Sequence, residues 1–236
     1  MPPIYSSLIA MLLMVFTAPA ARAAPQGGVS LDQTRIIFSA ADKVQTIKVN
    51  NTSKQKYLIQ SRIQRDINHE SSAPFIVTPP LFPLGPENNQ LLRIFKQDEQ
   101  LPVDRESLFY LAVLAIPAQS EPAPQATRLS MGFQFVIKLF YRPEGLKIMP
   151  QNAYCQLKFS RTPKGIQIEN PTPYFLTFGS LSFDQKVIDL DLQPSMLAPM
   201  STAVYSATKP VHQVQWQNIT DTGGWSAPCQ QTVSPS

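Results

Sequence analysis

Apolar and polar residues alternate along much of this chain with a period of two. A strand places successive side chains on opposite faces, so each such stretch predicts a half-buried strand. Val29 and Leu31 with Ile36-Ile37-Phe38 predict a first strand, and Val44–Val49 a second. The turn cluster Asn50–Lys54 separates these from Tyr57–Ile63. Phe75–Val77, Leu91–Phe95 and Leu108–Leu114 continue the series, and the longest strand is predicted over Leu129–Tyr141. Pro143 and Gly145 end that run. Beyond them Tyr154–Phe159, Gly165–Glu169, Tyr174–Phe178, Lys186–Ile188, Val211–Gln217 and Trp225–Cys229 read as further short strands, and Gln230–Ser236 as a frayed tail. Short strands punctuated by turns predict an all-β fold of two antiparallel sandwiches, over 24–143 and 146–236, with a short stiff connector between them.

The run from 129 to 139 is the most informative. Leu129, Met131, Phe133, Phe135, Ile137 and Leu139 share one parity, while Ser130, Gly132 and Gln134 begin the other. Taken alone, this is the pattern of a sandwich core strand. Its context supports a second reading. The preceding Ala118–Arg128, with Glu121-Pro122-Ala123-Pro124, reads as a loop. A strand that leaves a loop with its apolar row half outside its domain can be lent to another protein.

Composition narrows the class. With 23 Pro in 236 residues, long helices are disfavoured, because Pro removes a donor and clashes inside a helix. A hydrophobic share of 43% with 13 Phe excludes intrinsic disorder. The net charge of +4 lacks the clustered basic stripe of a nucleic-acid binder. No apolar run reaches the roughly 18 residues of a membrane span, so the chain is not expected to be membrane-embedded. Residues 1–23 read as an export signal: Leu8–Phe16 is its apolar core and Ala21-Arg22-Ala23 its cleavage pattern. No Lys or Arg precedes that core, and an uncleaved N-terminal anchor is the alternative. Loss of Arg22 with the leader leaves a net charge of +3.

Export bears on the two cysteines. In an oxidising compartment Cys155 and Cys229 are expected to form a disulfide, the alternative being two buried free thiols. His69 and His212, beside a single cysteine pair, give no metal-site spacing. No Gly-rich phosphate loop or nucleophile–base arrangement is present. Neither an enzyme nor a cofactor is expected.

Several motifs then occur in register. Asp104-Arg105-Glu106-Ser107-Leu108-Phe109-Tyr110, Ala115-Ile116-Pro117 and Ile137-Lys138-Leu139-Phe140-Tyr141-Arg142-Pro143 closely resemble the periplasmic pilus (fimbrial) assembly chaperone family, of PapD-like type. Leu31–Arg35, Thr78-Pro79-Pro80 and Ile168–Tyr174 fit the same family in the same order, so the resemblance spans essentially the whole mature chain. One departure is Ala112, where the family usually has Asn.

The resemblance implies two immunoglobulin-like domains set in an L and a location in the periplasm of a Gram-negative envelope. It implies a chaperone that binds, folds and caps pilus subunits by donor-strand complementation and delivers them to an outer-membrane usher. By position, Leu129, Met131 and Phe133 match the donor residues, and Phe135 extends the set. Arg35 and Lys138 match the basic pair that grips the subunit's C-terminal carboxylate. Glu106, Arg142 and Asp221 match an interdomain salt-bridge set. The brief 118–128 segment implies the short F–G loop subclass. Without a client, the exposed row predicts a self-capped dimer through residues 129–135. The rival reading is an exported structural or adhesive pilus component. Such a subunit carries an alternating apolar N-terminal extension, whereas Ala24-Pro25-Gln26-Gly27-Gly28 is small and polar.

Overall fold

The computed structural model of the chain describes residues 27–69, 71–118 and 131–233. The leader read at 1–23, most of the 118–128 loop and Leu129 lie outside the described residues.

In the first half, β-branched and aromatic residues build nine strands among the described residues. They are β1 (Val29–Leu31), β2 (Arg35–Ser39), β3 (Gln45–Asn51), β4 (Tyr57–Gln64), β5 (Phe75–Thr78), β6 (Leu81–Leu84), β7 (Asn88–Lys96), β8 (Ser107–Pro117) and β9 (Phe133–Arg142). They form two sheets, one ordered β1-β3-β7-β5 and the other β2-β9-β8-β4-β6. The inward parity of each strand meets between them. Ile36, Phe38, Ile47, Val49, Ile59, Leu92, Ile94, Phe109, Leu111 and Leu139 form the core of this sandwich.

The second half begins with one helical turn, α1 (Pro150–Ala153), whose proline occupies the first turn, where a missing N–H costs nothing. Strands β10 (Lys158–Thr162), β11 (Gly165–Asn170) and β15 (Ser201–Ser206) make one sheet. The other contains β12 (Leu176–Phe183), β13 (Lys186–Val187), β14 (Met196–Leu197), β16 (Gln213–Asn218) and β17 (Cys229–Thr232). A separate core lies between these sheets, with Ile166, Ile168, Leu181, Tyr205, Val214 and Trp216 at its centre. A disulfide ties Cys155, before β10, to Cys229 on β17, across 74 residues. In the chain-entropy model, closing so long a loop stabilises by about 4 kcal/mol.

Several sequence-based boundaries move. The first strand is two strands in two sheets. At Asp32 the N–H donates to Lys48 O at 3.1 Å and the carboxylate accepts from Lys48 N–H at 2.9 Å, which ends β1 against β3. The chain then crosses to pair with β9. β9 starts at Phe133, four residues later than the pattern suggests, and β8 is the longer strand among the described residues. Tyr154–Phe159 is mostly the exit from α1 and not a strand. Trp225 makes only an isolated bridge to Ile219. The described part of the tail is not frayed: residues 230–232 belong to β17 and Val233 is buried in the second core. Ala112 is buried on β8, opposite Val136 of β9 and Arg62 of β4.

Candidate functional site

β9 has two different flanks. On one side it pairs antiparallel with β8 from Phe133 to Tyr141. On the other it pairs in parallel with β2, but only from Lys138 to Arg142. The Phe133–Ile137 margin on the β2 side therefore has no strand partner among the described residues. Backbone N–H and C=O groups along it point outward, which makes it a template for another strand.

The apolar row on this strand is graded. Leu139 is fully buried in the core of the first sandwich, with Ile137 and Phe135 packed partly against it. Phe133 is 40% exposed and stacks edge-on to Tyr57 and Phe135. Met131, just before the strand, is 71% exposed. One face thus serves the chain's own core at one end and solvent at the other.

The opposite face carries charge. Arg35 of β2 and Lys138 of β9 are direct cross-strand neighbours in the parallel ladder, so their side chains share the face away from the core. Arg35 Nη1 donates to Ile219 O of the second domain at 3.2 Å, and its guanidinium lies 5.9 Å from the Phe140 ring centre. Its Nε is buried without a hydrogen-bond partner. Burial pulls the Arg35 guanidinium below its ordinary pKa, against the attraction of Asp221, Tyr154 and Glu106. Burial also lowers Lys138, and the like charge of Arg35 adds to that shift. Two half-buried cations, one with an unused donor, suit an anion with several acceptor oxygens.

Beside them Arg142 spans the two domains. Its Nε donates to Glu106 Oε1 at 2.8 Å, and its Nη1 and Nη2 reach the two Asp221 oxygens at 2.7 and 2.9 Å. The second Glu106 oxygen accepts the Phe175 N–H at 2.8 Å. Burial opposes the Arg142 charge, but Asp221 and Glu106 outweigh it and hold the guanidinium above its ordinary pKa. Burial pushes the Glu106 carboxyl up, against the pull of Arg142. Phe140 stacks on Phe175 across the same junction, 5.6 Å between ring centres. Sequence reasoning missed Phe140 and Phe175. The signal was available, because Phe140 is a large apolar residue on the polar parity of β9.

The chain matches two family models: "Pili and flagellar-assembly chaperone, PapD N-terminal domain" over residues 28–147, and "Pili assembly chaperone PapD, C-terminal domain" over 152–230. It is 34% identical over 219 residues to the probable fimbrial chaperone LpfB of Escherichia coli O157:H7, covering 92% of this chain and 93% of that one. It is 38% identical over 191 residues to the chaperone protein FimC of Escherichia coli O6:H1, covering 80% and 78%. A chain in the Salmonella enterica complex of SafA pilin with the SafB chaperone superposes with a TM-score of 0.79 at 29% identity, covering 89% of this chain and 99% of that one. A two-sandwich assembly chaperone is the class these matches define. The chain belongs to the PapD-like pilus-assembly chaperone family and acts as a fimbrial chaperone, not as an enzyme. No helix among the described residues is long and apolar enough to cross a membrane.

Proposed function

We propose that this chaperone works by lending β9. A pilus subunit lacking its last strand adds along the free Phe133–Ile137 margin, and the row Leu129, Met131, Phe133 and Phe135 fills its groove. The observation that carries this is the half-paired β9, whose apolar face runs from the buried Leu139 to the exposed Met131. Arg35 and Lys138 hold the subunit's terminal carboxylate, an assignment supported by the unpartnered Nε of Arg35 and by the partial desolvation of both cations. Glu106, Arg142 and Asp221 set the angle of the L between domains spanning 24–143 and 146–236. Residues 1–23 direct export to the periplasm, where an outer-membrane usher receives the complex. The limited span between β8 and β9 supports the short F–G loop subclass, and without a client two copies cap each other's margins.

Magnitudes divide the labour. Leu129, Met131 and Phe133 alone, at about 1.5–3 kcal/mol each, supply roughly 4–9 kcal/mol before ordering costs. A charge-assisted bond nets about 1.5–3 kcal/mol. The row sets affinity. The cations set register, since a slip of one residue turns every donor side chain away from the groove.

Co-expression with a fimbrial subunit, followed by capture from the exported fraction, tests this. The parent is expected to protect the subunit, Met131→Lys with Phe133→Lys to lose it, and Arg35→Ala to recover it poorly and out of register. Full recovery with all three substitutions present would overturn the reading.

A further inference from the structure

We propose that Trp225, Ile219 and Gly179 form a shelf for the apolar side chain at the end of the client polypeptide, beside the carboxylate that Arg35 and Lys138 hold. The inference rests on that anchoring reading and adds selectivity to it. The shelf and Arg35 are connected by one tight loop. Ile219 O accepts from Arg35 Nη1 at 3.2 Å, and Ile219 bridges Trp225 across the turn. The turn is closed by Thr220 N–H to Gly224 O at 2.8 Å and Gly223 N–H to Thr220 O at 2.9 Å. Gly223, at φ 84°, is seated on Thr34, the residue before Arg35, and a Cβ there would meet Thr34 Oγ1 at 2.5 Å. The same seven residues, 219–225, therefore abut the cation and present the indole.

The indole is laid flat by design of the sheet. A Cβ on Gly179 would lie 3.4 Å from Trp225 Cδ2 and 3.6 Å from Ile219 Cγ1, so the ring lies over the glycine backbone. Gly179 sits where the register of β12 against β16 shifts. The outward parity of β16 is a polar row, Gln213, Gln215 and Gln217, that ends in this apolar step. Trp225 is 60% exposed, whereas the other tryptophan, Trp216, is 2% exposed. A wide aromatic face left in water, on the loop whose Ile219 carbonyl touches the under-partnered Arg35, fits one occupant: a chain terminus that offers a carboxylate and a flat or branched apolar side chain.

The test uses the full chain and short synthetic peptides of alternating Val and Thr, ending in Phe with a free carboxylate, in Asp with a free carboxylate, or in Phe amide. Binding of the Phe acid is expected to shift Trp225 emission to the blue and to be about fivefold tighter than the Asp acid, the order of one aromatic contact. Trp225→Ala is expected to fold, to erase that preference and to keep the need for a free carboxylate. Carboxylate-dependent binding with equal affinity for Phe and Asp, or a preference that survives Trp225→Ala, overturns the shelf alone. Amide and acid binding equally well, or no peptide binding, overturns the anchoring reading and the shelf with it. A blue shift that follows protein concentration without peptide assigns the surface to a second copy and also overturns the proposal.

Discussion

At the scale of single residues, the cation pair is a place where stability is given up. Lys138 is partly buried with no ion pair among the described residues, and Arg35 beside it carries the same sign. Its pKa is depressed in the fold, so at neutral pH the folded state carries an ammonium it disfavours. Removing that charge is expected to help the empty protein. Lys138→Met should leave the client-free chain about 1 kcal/mol more stable in urea denaturation at pH 7 while lowering client capture. The pH dependence gives the sign. A base with a lowered folded pKa adds stability as pH rises through that value towards its ordinary 10.5, because the unfolded chain then holds more protons. The parent should therefore close the gap on Lys138→Met between neutral pH and that limit. A gap that is flat or widens with pH removes the argument.

At the scale of one element, β9 has a single apolar row in two environments, and position along the row decides which applies. Leu139 is wholly enclosed, so Leu139→Ala is expected to cost about 2–5 kcal/mol through lost contacts and a cavity. Met131 stands in solvent, and Met131→Ala should change stability by less than about 0.5 kcal/mol while reducing self-association in light scattering. Comparable destabilisation by the two substitutions would show that the row serves only its own core. The period-two pattern gave the parity of this strand but not the point where β2 stops pairing with it. Pairing partners are set by strands distant in sequence, and alternation carries no information about them. The split of the first strand at Asp32 left a local trace, since the inward parity switches from odd at Val29 to even at Ile36 and Phe38, but which strand each half pairs with is not written locally. β6 was hidden by Pro83, which an edge strand tolerates.

At the scale of the whole molecule, one guanidinium joins two independently cored sandwiches. Arg142 belongs to the first domain, as does Glu106, while Asp221 and the Phe175 N–H come from the second. Asp221 is partly solvated, so losing its pair with Arg142 costs only about 1 kcal/mol after screening. The expected consequence is a change of orientation more than of stability. Asp221→Asn should broaden the distribution of interdomain distances in small-angle scattering while lowering the melting temperature by no more than about 4–8 °C. A scattering profile identical to the parent's would leave the angle to the remaining junction contacts, Phe140 on Phe175, Glu106 with the Phe175 N–H and Arg35 with Ile219 O.

The amino-acid sequence by itself determined the all-β class, the family, most strand positions and the inward or outward parity of each side chain, because these follow from local alternation, turn residues and motif order. Tertiary structure alone decided which flank of β9 stays open, the parallel register that sets Arg35 opposite Lys138, and that the loop carrying an exposed indole abuts Arg35. Each of those depends on strands from remote parts of the chain meeting in one register, and no local pattern encodes that meeting.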